Sequence, residues 1–373
     1  MHRVCISGLG VEIPPSTVTN DELVASFNSW VATENGRRAG AGLPPLAGSD
    51  AGFIAAASGV EQRHFLIADG ILDPDRMTPR IPVRGDESLS VMAEFGVASA
   101  LKALADAGIG GGEVDLVICA ASHHQRPYPA IAVEIQQAIG AAGGAFDMNL
   151  GCSSAAAALN VAYGLVRSGT HGRVLIVTPE IISGHLDFRD RQTHFIFGDA
   201  SAAMVVERVG ADVAAAGRLE ILGTQLGTRF SNNIRTNFGF LSRTGQDDPS
   251  VLAMEGNMIK QNGNRVFREV TVAVHRFMEA FLERHGLAPE GIRRFWLHQA
   301  NARMNAMILK LMLGAEADAD RAPLVLGQLG NTAAAGAVIA LKEHNEDLAA
   351  GDLGLFCAFG AGYSMGAALL RKL

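Results

Sequence analysis

The chain reads as an α/β protein built from two similar halves, and three observations carry that reading. Strand-like apolar runs alternate with helix-like runs, 43 glycines stand beside only 6% aromatic residues, and late segments of the 373-residue chain echo early ones. Alternation argues for helices layered on sheet. Abundant glycine suits tight strand-to-helix turns and close backbone packing. The length allows one large α/β unit or two domains, at roughly 100 to 200 residues per domain.

In chain order, "HRVCISGLG" reads as a first strand, "SLSVMAEFGVASALKALADAGI" as an amphipathic helix, and "VDLVICAAS", "RVLIVTPEI" and "SAAMVVE" as further strands. Two stretches, 28–50 and 69–88, are rich in Gly, Pro, Ala and charge and read as irregular insertions. "LADAGIGGGEVDLVICAAS" has a counterpart in "LERHGLAPEGIRRFWLHQAN", and "LGCSSAAAALNVA" has one in "LGNTAAAGAVIAL". Gly108 and Gly286 are 178 positions apart and Cys152 and Asn331 are 179 apart, so the two echoes keep nearly the same offset, one residue apart. "FGDASAAMVVER" and "FGAGYSMGAALLRK" add a third echo in the same order. The division this predicts is residues 1–215 and 216–373, with related turns facing each other.

Composition excludes several classes of function. A net charge of −7 leaves no broad basic footprint for nucleic acid. The start "MHRVCISGLGVEIPPS" lacks the charged and long apolar regions of a signal peptide, and no run reaches the ~18 apolar residues of a membrane span, so a cytoplasmic protein is expected. Cys5, Cys119, Cys152 and Cys357 form no CxxC pair and no His/Cys ligand spacing, which argues against a disulfide framework or a metal site.

The chemistry-bearing residues lie where strands give way to helices. Cys152 follows a β-prone approach and precedes an alanine-rich helical run, so it is expected at a helix N-terminus, where unpaired N–H groups favour the thiolate. A free cysteine that merely packs as a small hydrophobe is the alternative. His298 ends the apolar strand "RRFWL", and Asn331 occupies the turn equivalent to that of Cys152. α/β folds place their chemistry at strand ends and helix starts, so these three residues are expected to converge on one cleft. Asp199 in "FGDAS" reads as a turn residue.

"GCSSAAAALN", "FGDASAAMVVE", "LHQANARMN", "GQLGNTAAAGAVIAL" and "FGAGYSMGAALLRK" together resemble, in order and over almost the whole chain, β-ketoacyl-acyl carrier protein synthase III, a condensing enzyme of the thiolase superfamily. The resemblance implies a thiolase-like five-layered αβαβα fold, a homodimer, and a Cys-His-Asn catalytic set here formed by Cys152, His298 and Asn331. It also implies an acyl-CoA primer, malonyl-acyl carrier protein as second substrate, and no metal or redox cofactor. The acyl-cysteine oxyanion would be held by the backbone N–H groups of Cys152 and Ala361. Ala361 stands where the family has a glycine.

For substrate binding the resemblance places Phe53 where the family has an adenine-stacking tryptophan and Ala57 where it has an arginine. Arg191 and Arg303 match arginines that contact coenzyme A or the carrier protein, and Arg303 with Lys310 forms a candidate dock for an acidic carrier. Tyr128 matches a residue that reaches across the dimer to shape the partner's acyl pocket. With the 28–50 insertion, it makes the chain similar to the subgroup using medium-chain primers around octanoyl. A thiolase is disfavoured, because its second cysteine would stand at Ala358 and Cys357 is one residue off, on the other strand face. A secondary-metabolite acyltransferase or ketosynthase of the same fold stays open.

Overall fold

The computed structural model describes residues 2–210, 217–236, 259–314 and 318–373. β1 (Arg3–Glu12) and β2 (Ser16–Thr19) lead into α1 (Asn20–Gly40) and α2 (Ala51–Ser58), and β3 (Gln62–Phe65) pairs with β2 in a short ribbon. There follow α3 (Val91–Ala107), β4 (Leu116–Ala120), α4 (Ile131–Ile139), β5 (Gly144–Met148), α5 (Ser154–Ser168), β6 (Arg173–Glu180) and β7 (Ala200–Val209). The later residues form β8 (Leu219–Ser231), the two-residue strands β9 (Ile234–Arg235) and β10 (Lys260–Gln261), α6 (Gly263–Arg284), β11 (Arg294–Leu297) and α7 (Ala302–Leu313). The short α8 (Leu326–Leu329), then α9 (Ala335–Glu343), β12 (Leu353–Gly360) and β13 (Gly362–Lys372) complete the chain.

Nine strands form one sheet in the order β11-β12-β13-β8-β1-β7-β6-β4-β5. β1 and β8 meet only through Cys5 opposite Glu220 and Ile6 opposite Leu219, so a narrow seam joins two larger blocks. α5 and α9 pack against strands on both sides of this seam, including β6, β7, β12 and β1. Their small residues make that possible. Ala155, Ala156 and Ala158 of α5 and Ala335, Ala337 and Ala340 of α9 are buried in the central core with Ile118, Ile176, Phe356 and Ala368 from the strands. α3 and α4 cover the outer face of β1, β7, β6 and β4, while α6 and α7 share an outer core with β11, β12 and β13. Helix, sheet, helix, sheet, helix is the resulting layer order, the α/β architecture expected from the sequence.

With β2, α1, α2, β3 and β5 left out of the first run and β9, β10 and α8 left out of the second, the order strand, helix, strand, helix, helix, strand, strand recurs, as β1-α3-β4-α4-α5-β6-β7 and as β8-α6-β11-α7-α9-β12-β13. Gly108 and Gly286, paired by the first echo, both adopt the left-handed conformation just beyond α3 and α6, with φ of 69° and 66°. The predicted division at 215/216 falls between β7 and β8, beside residues 211–216, which lie outside those described.

One expectation needs correction. The stretch 28–50 was expected to be irregular, yet its first part continues α1 to Gly40. A capping box starts that helix: Thr19 accepts from the N–H of Glu22, and Glu22 accepts from the N–H of Thr19 at 2.8 Å. Asn28 and Asn35 then clip the returning segment onto it, Asn28 bonding Ser49 and Asn35 bonding both backbone groups of Leu46. The buried apolar stripe of α1, Leu23, Phe27 and Val31, ends at Val31, and the side-chain clips hold the helix at and beyond that point. Among the described residues no helix is long and apolar enough to cross a membrane.

Candidate active site

Cys152 lies between the end of β5 and the first turn of α5, as expected for a residue at a helix N-terminus. Gly151 takes φ of 57°, a conformation that a side chain would strain, and turns the chain so that residue 152 faces the end of β12. Gly360 lies against it so closely that a Cβ there would sit 2.6 Å from the Cβ of Cys152 and 3.1 Å from its Sγ. Ser153 Oγ and Ser364 Oγ are 2.7 Å apart and both reach the carbonyl of Leu150, and Ser364 also reaches the carbonyl of Ala361 at 2.8 Å. The nucleophile turn and the turn carrying Ala361 are thereby fastened together. The N–H groups of Ala361 and Cys152 both point at the sulfur and favour its charged form.

The thiol is nevertheless not pre-ionised. Burial pushes Cys152 up to about 12, and the charge of Glu180 adds to the rise, against the two backbone N–H groups. The expectation of a lowered pKa is thus overturned, because the sulfur sits beside an apolar cluster that includes Phe197, Ile196 and Ile182. Helix N–H groups offset only part of the desolvation.

His298 follows β11, its N–H donating to the carbonyl of Cys357 at 2.9 Å, and its ring stands edge-on to Phe359 with centroids 5.3 Å apart. Burial pulls it down to about 4, while the backbone of Ala333 favours its protonated form; the ring is neutral at physiological pH. Asn331 precedes α9 and is stitched to the segment before β7, donating its N–H to Ile196 and accepting from Gly198. Its Oδ1 accepts the N–H of Ala333 at 2.9 Å, which leaves Nδ2 as the free donor. Cys152, His298 and Asn331 line one cavity of about 120 Å³, with Phe197, Met304 and Phe359 among its other walls. Besides Cys152, His298 is the only ionisable side chain among the described lining residues.

The remaining sequence candidates fall outside this cavity. Phe53 on α2 is 61% exposed, and the guanidinium of Arg191 lies over its ring at 5.9 Å. Tyr128 is 82% exposed in the loop after β4. Arg303 and Lys310 occupy the exposed face of α7, whose buried face contributes Met304 to the cavity. Asn301, which does line the cavity, caps that helix and donates to the carbonyl of Ala57. Asp199 is more than a turn residue: fully buried, it accepts from the Ser183 N–H and hydroxyl and from the N–H of Leu66. Cys357 is buried in the outer core while Ala358 faces the central one, the opposite facing expected of neighbours in β12.

Cys119, His124 and Asp147 also bring ligand-type atoms within 4.8 Å of one another. Asp147, however, accepts the N–H groups of Ile131 and Ala132 at the start of α4, and burial holds the Cys119 thiol well above its usual range. The trio reads as a helix cap beside a core thiol. Sequence reasoning missed Glu180, Ser153, Ser364 and Gly360. Glu180 had a visible signal, an acid at the end of the otherwise apolar "VLIVTPEI".

Comparison with known proteins comes down on one family. The profile described as 3-oxoacyl-[acyl-carrier-protein] synthase III matches residues 146–229, and its C-terminal counterpart matches 282–372. A β-ketodecanoyl-[acyl-carrier-protein] synthase from Pseudomonas aeruginosa is 44% identical over 352 residues, covering 93% of this chain and 99% of the relative. A β-ketoacyl-[acyl-carrier-protein] synthase III from Granulibacter bethesdensis is 31% identical over the full length of both. The crystal structure of 3-oxoacyl-(acyl carrier protein) synthase III from Pseudomonas aeruginosa PAO1 superposes with a TM-score of 0.77 at 23% identity, covering 99% and 98% of the two chains.

Proposed function

Because the chain belongs to the 3-oxoacyl-[acyl-carrier-protein] synthase III family of condensing acyltransferases, we propose that it joins a medium-chain acyl-CoA, around octanoyl, to malonyl-acyl carrier protein through an acyl-Cys152 intermediate. The carrying observation is the single cavity that holds Cys152, His298 and Asn331, with the N–H groups of Cys152 and Ala361 aimed at the sulfur. We read the two runs of elements as two halves, the first bringing the nucleophile and the second bringing His298, Asn331 and Ala361.

In the first half-reaction Cys152 Sγ attacks the thioester carbonyl of the acyl-CoA. The resulting oxyanion is held by the Cys152 and Ala361 N–H groups, and its collapse expels the coenzyme A thiolate. Neutral His298 lies in the same cavity and can take the thiol proton, which the high pKa of Cys152 makes a real requirement. A thioester results, so the acyl group stays activated. In the second half-reaction the malonyl group loses CO2, and the electron pair left behind forms a thioester enolate. His298 and the Asn331 amide donate to its oxygen, and its carbon attacks the acyl-Cys152 carbonyl and expels the Cys152 thiolate. Malonate supplies its own leaving group, so this sequence calls on no redox cofactor.

The chain-length reading is supported by the name of the relative from Pseudomonas aeruginosa. A β-ketodecanoyl product has ten carbons, and decarboxylative condensation adds two, so that enzyme's primer carries eight. The Phe53 and Arg191 pair supports binding of the adenine of coenzyme A by stacking. A homodimer is supported by β5, which ends the sheet with its outer edge unpaired among the described residues and leaves Phe146 38% exposed near the exposed Tyr128. Arg303 and Lys310, on a helix that also lines the cavity, fit an acidic carrier protein.

Condensation assayed with malonyl-acyl carrier protein and a series from acetyl- to dodecanoyl-CoA tests the proposal. kcat/KM is expected to peak near eight carbons, about 100-fold above acetyl-CoA. A maximum at acetyl-CoA would overturn the medium-chain reading.

A further inference from the structure

We propose that Glu180 is a positioning residue for this reaction, a buried carboxyl that ties the turn bearing Cys152 to the turn bearing Asn331. The inference rests on the reading of Cys152 as the acylated nucleophile. Glu180 ends β6 with no exposed surface, and no cation pairs with it among the described residues. Three donors fill its oxygens: the N–H of Ser122 at 2.8 Å, the Ser122 hydroxyl at 2.7 Å and the N–H of Ala334 at 3.2 Å. Burying a carboxyl in a central strand is costly, and an apolar residue would fill that place more cheaply in stability. What the carboxyl holds gives the reason.

On one side Ser122 continues the chain of contacts toward the nucleophile. Its carbonyl accepts from Asn149 Nδ2 at 2.8 Å, and Asn149 Oδ1 accepts the N–H of Gly151 at 2.9 Å, next to Cys152. On the other side Ala334 follows Ala333, a non-glycine residue at φ 46°. Such a conformation persists only where its surroundings hold it. The Ala333 N–H fixes Asn331 Oδ1, and the backbone of Ala333 also engages His298. By gripping the next N–H, Glu180 holds the strained turn from which Asn331 is presented. One carboxyl therefore reaches both reacting sets, and its charge also bears on the Cys152 thiol.

Burial raises Glu180 to about 7, its three donors oppose the rise, and Asp199 adds to it; Cys119 and Cys152 are the thiols its charge acts on, and His123 touches it through the Ser122 hydroxyl. Replacing Glu180 with glutamine keeps an acceptor for both backbone N–H groups and removes the charge. Alanine removes both.

The test begins with wild-type enzyme and octanoyl-CoA, read by intact-protein mass; no adduct on Cys152 would defeat the functional reading itself, whatever Glu180 does. Condensation by Glu180→Ala is expected to fall roughly 100-fold, as for a misplacement of about 1 Å, with Glu180→Gln restored to within about 10-fold of wild type. Alkylation of Cys152 by iodoacetamide, followed against pH, is expected to move to lower pH in Glu180→Gln, since a negative charge beside the thiol is gone. Thermal melting checks that each variant folds. Should Glu180→Ala fail to fold, the alkylation profile of Glu180→Gln decides alone. Condensation by folded Glu180→Ala within threefold of wild type, or an unmoved alkylation profile in Glu180→Gln, would overturn the inference.

Discussion

The turns of Cys152 and Asn331 hold the same place in the repeated element order, at the starts of α5 and α9, but they use their helix N-termini in opposite ways. At α9 an internal acceptor is already in place: the Ala334 N–H donates to the Glu180 carboxyl. At α5 no side chain caps the helix at Ser153, and the Cys152 N–H is left pointing at its own sulfur. The first N-terminus is filled at rest and serves as a frame. The second stays open for charge that appears during reaction, which is where a preorganised donor is worth most. Under the proposed mechanism one turn supplies the nucleophile and the other a donor of hydrogen bonds to the enolate.

Substitution at each turn sharpens this contrast. Cys152→Ala removes the only sulfur the open N-terminus serves, and condensation measured by release of coenzyme A thiol is expected to fall at least about 1,000-fold. Asn331→Ala acts at the framed turn, where loss of a donor to the enolate oxygen is expected to lower malonyl decarboxylation about 100- to 1,000-fold while intact mass still shows acylation of Cys152. The effect at the substrate entrance is smaller. Arg191→Ala, which leaves the Phe53 ring without its cation, is expected to raise KM for acyl-CoA about 5-fold at unchanged kcat, near the ~1 kcal/mol of an exposed cation–π contact. Steady-state kinetics with varied acyl-CoA reads that change.

Much of this architecture is legible in the sequence because it rests on periodicity and on small residues at fixed offsets. "LGCSSAAAALNVA" and "LGNTAAAGAVIAL" write the central helices as alanine runs, since only short side chains let α5 and α9 sit between strands of both blocks. Cys152 and His298 stand at the junction of a strand end and a helix start, and Asn331 stands in the turn between α8 and α9. What is not legible depends on long-range partners. α1 has no buried apolar position after Val31, and its later turns are held by Asn28 and Asn35 reaching a segment that folds back on it. The Cys152 pKa was misread because a helix N-terminus can be seen in a sequence, whereas the surrounding desolvation and the charge of Glu180 come from segments far along the chain. The contact of Arg191 with the Phe53 ring, far apart in the chain, is of the same long-range kind.

The central claim is that the two turns divide the chemistry, and His298→Ala tests it most directly. The variant is incubated with octanoyl-CoA and carboxyl-labelled malonyl-acyl carrier protein, and intact mass and released CO2 are read from one sample. Octanoylation of Cys152 that is slowed yet reaches completion over a long incubation, with CO2 release from the acylated enzyme reduced about 100-fold or more, is the predicted result. Unchanged CO2 release from an acylated enzyme would contradict the account, because the donor set of the second half would then have no part in decarboxylation.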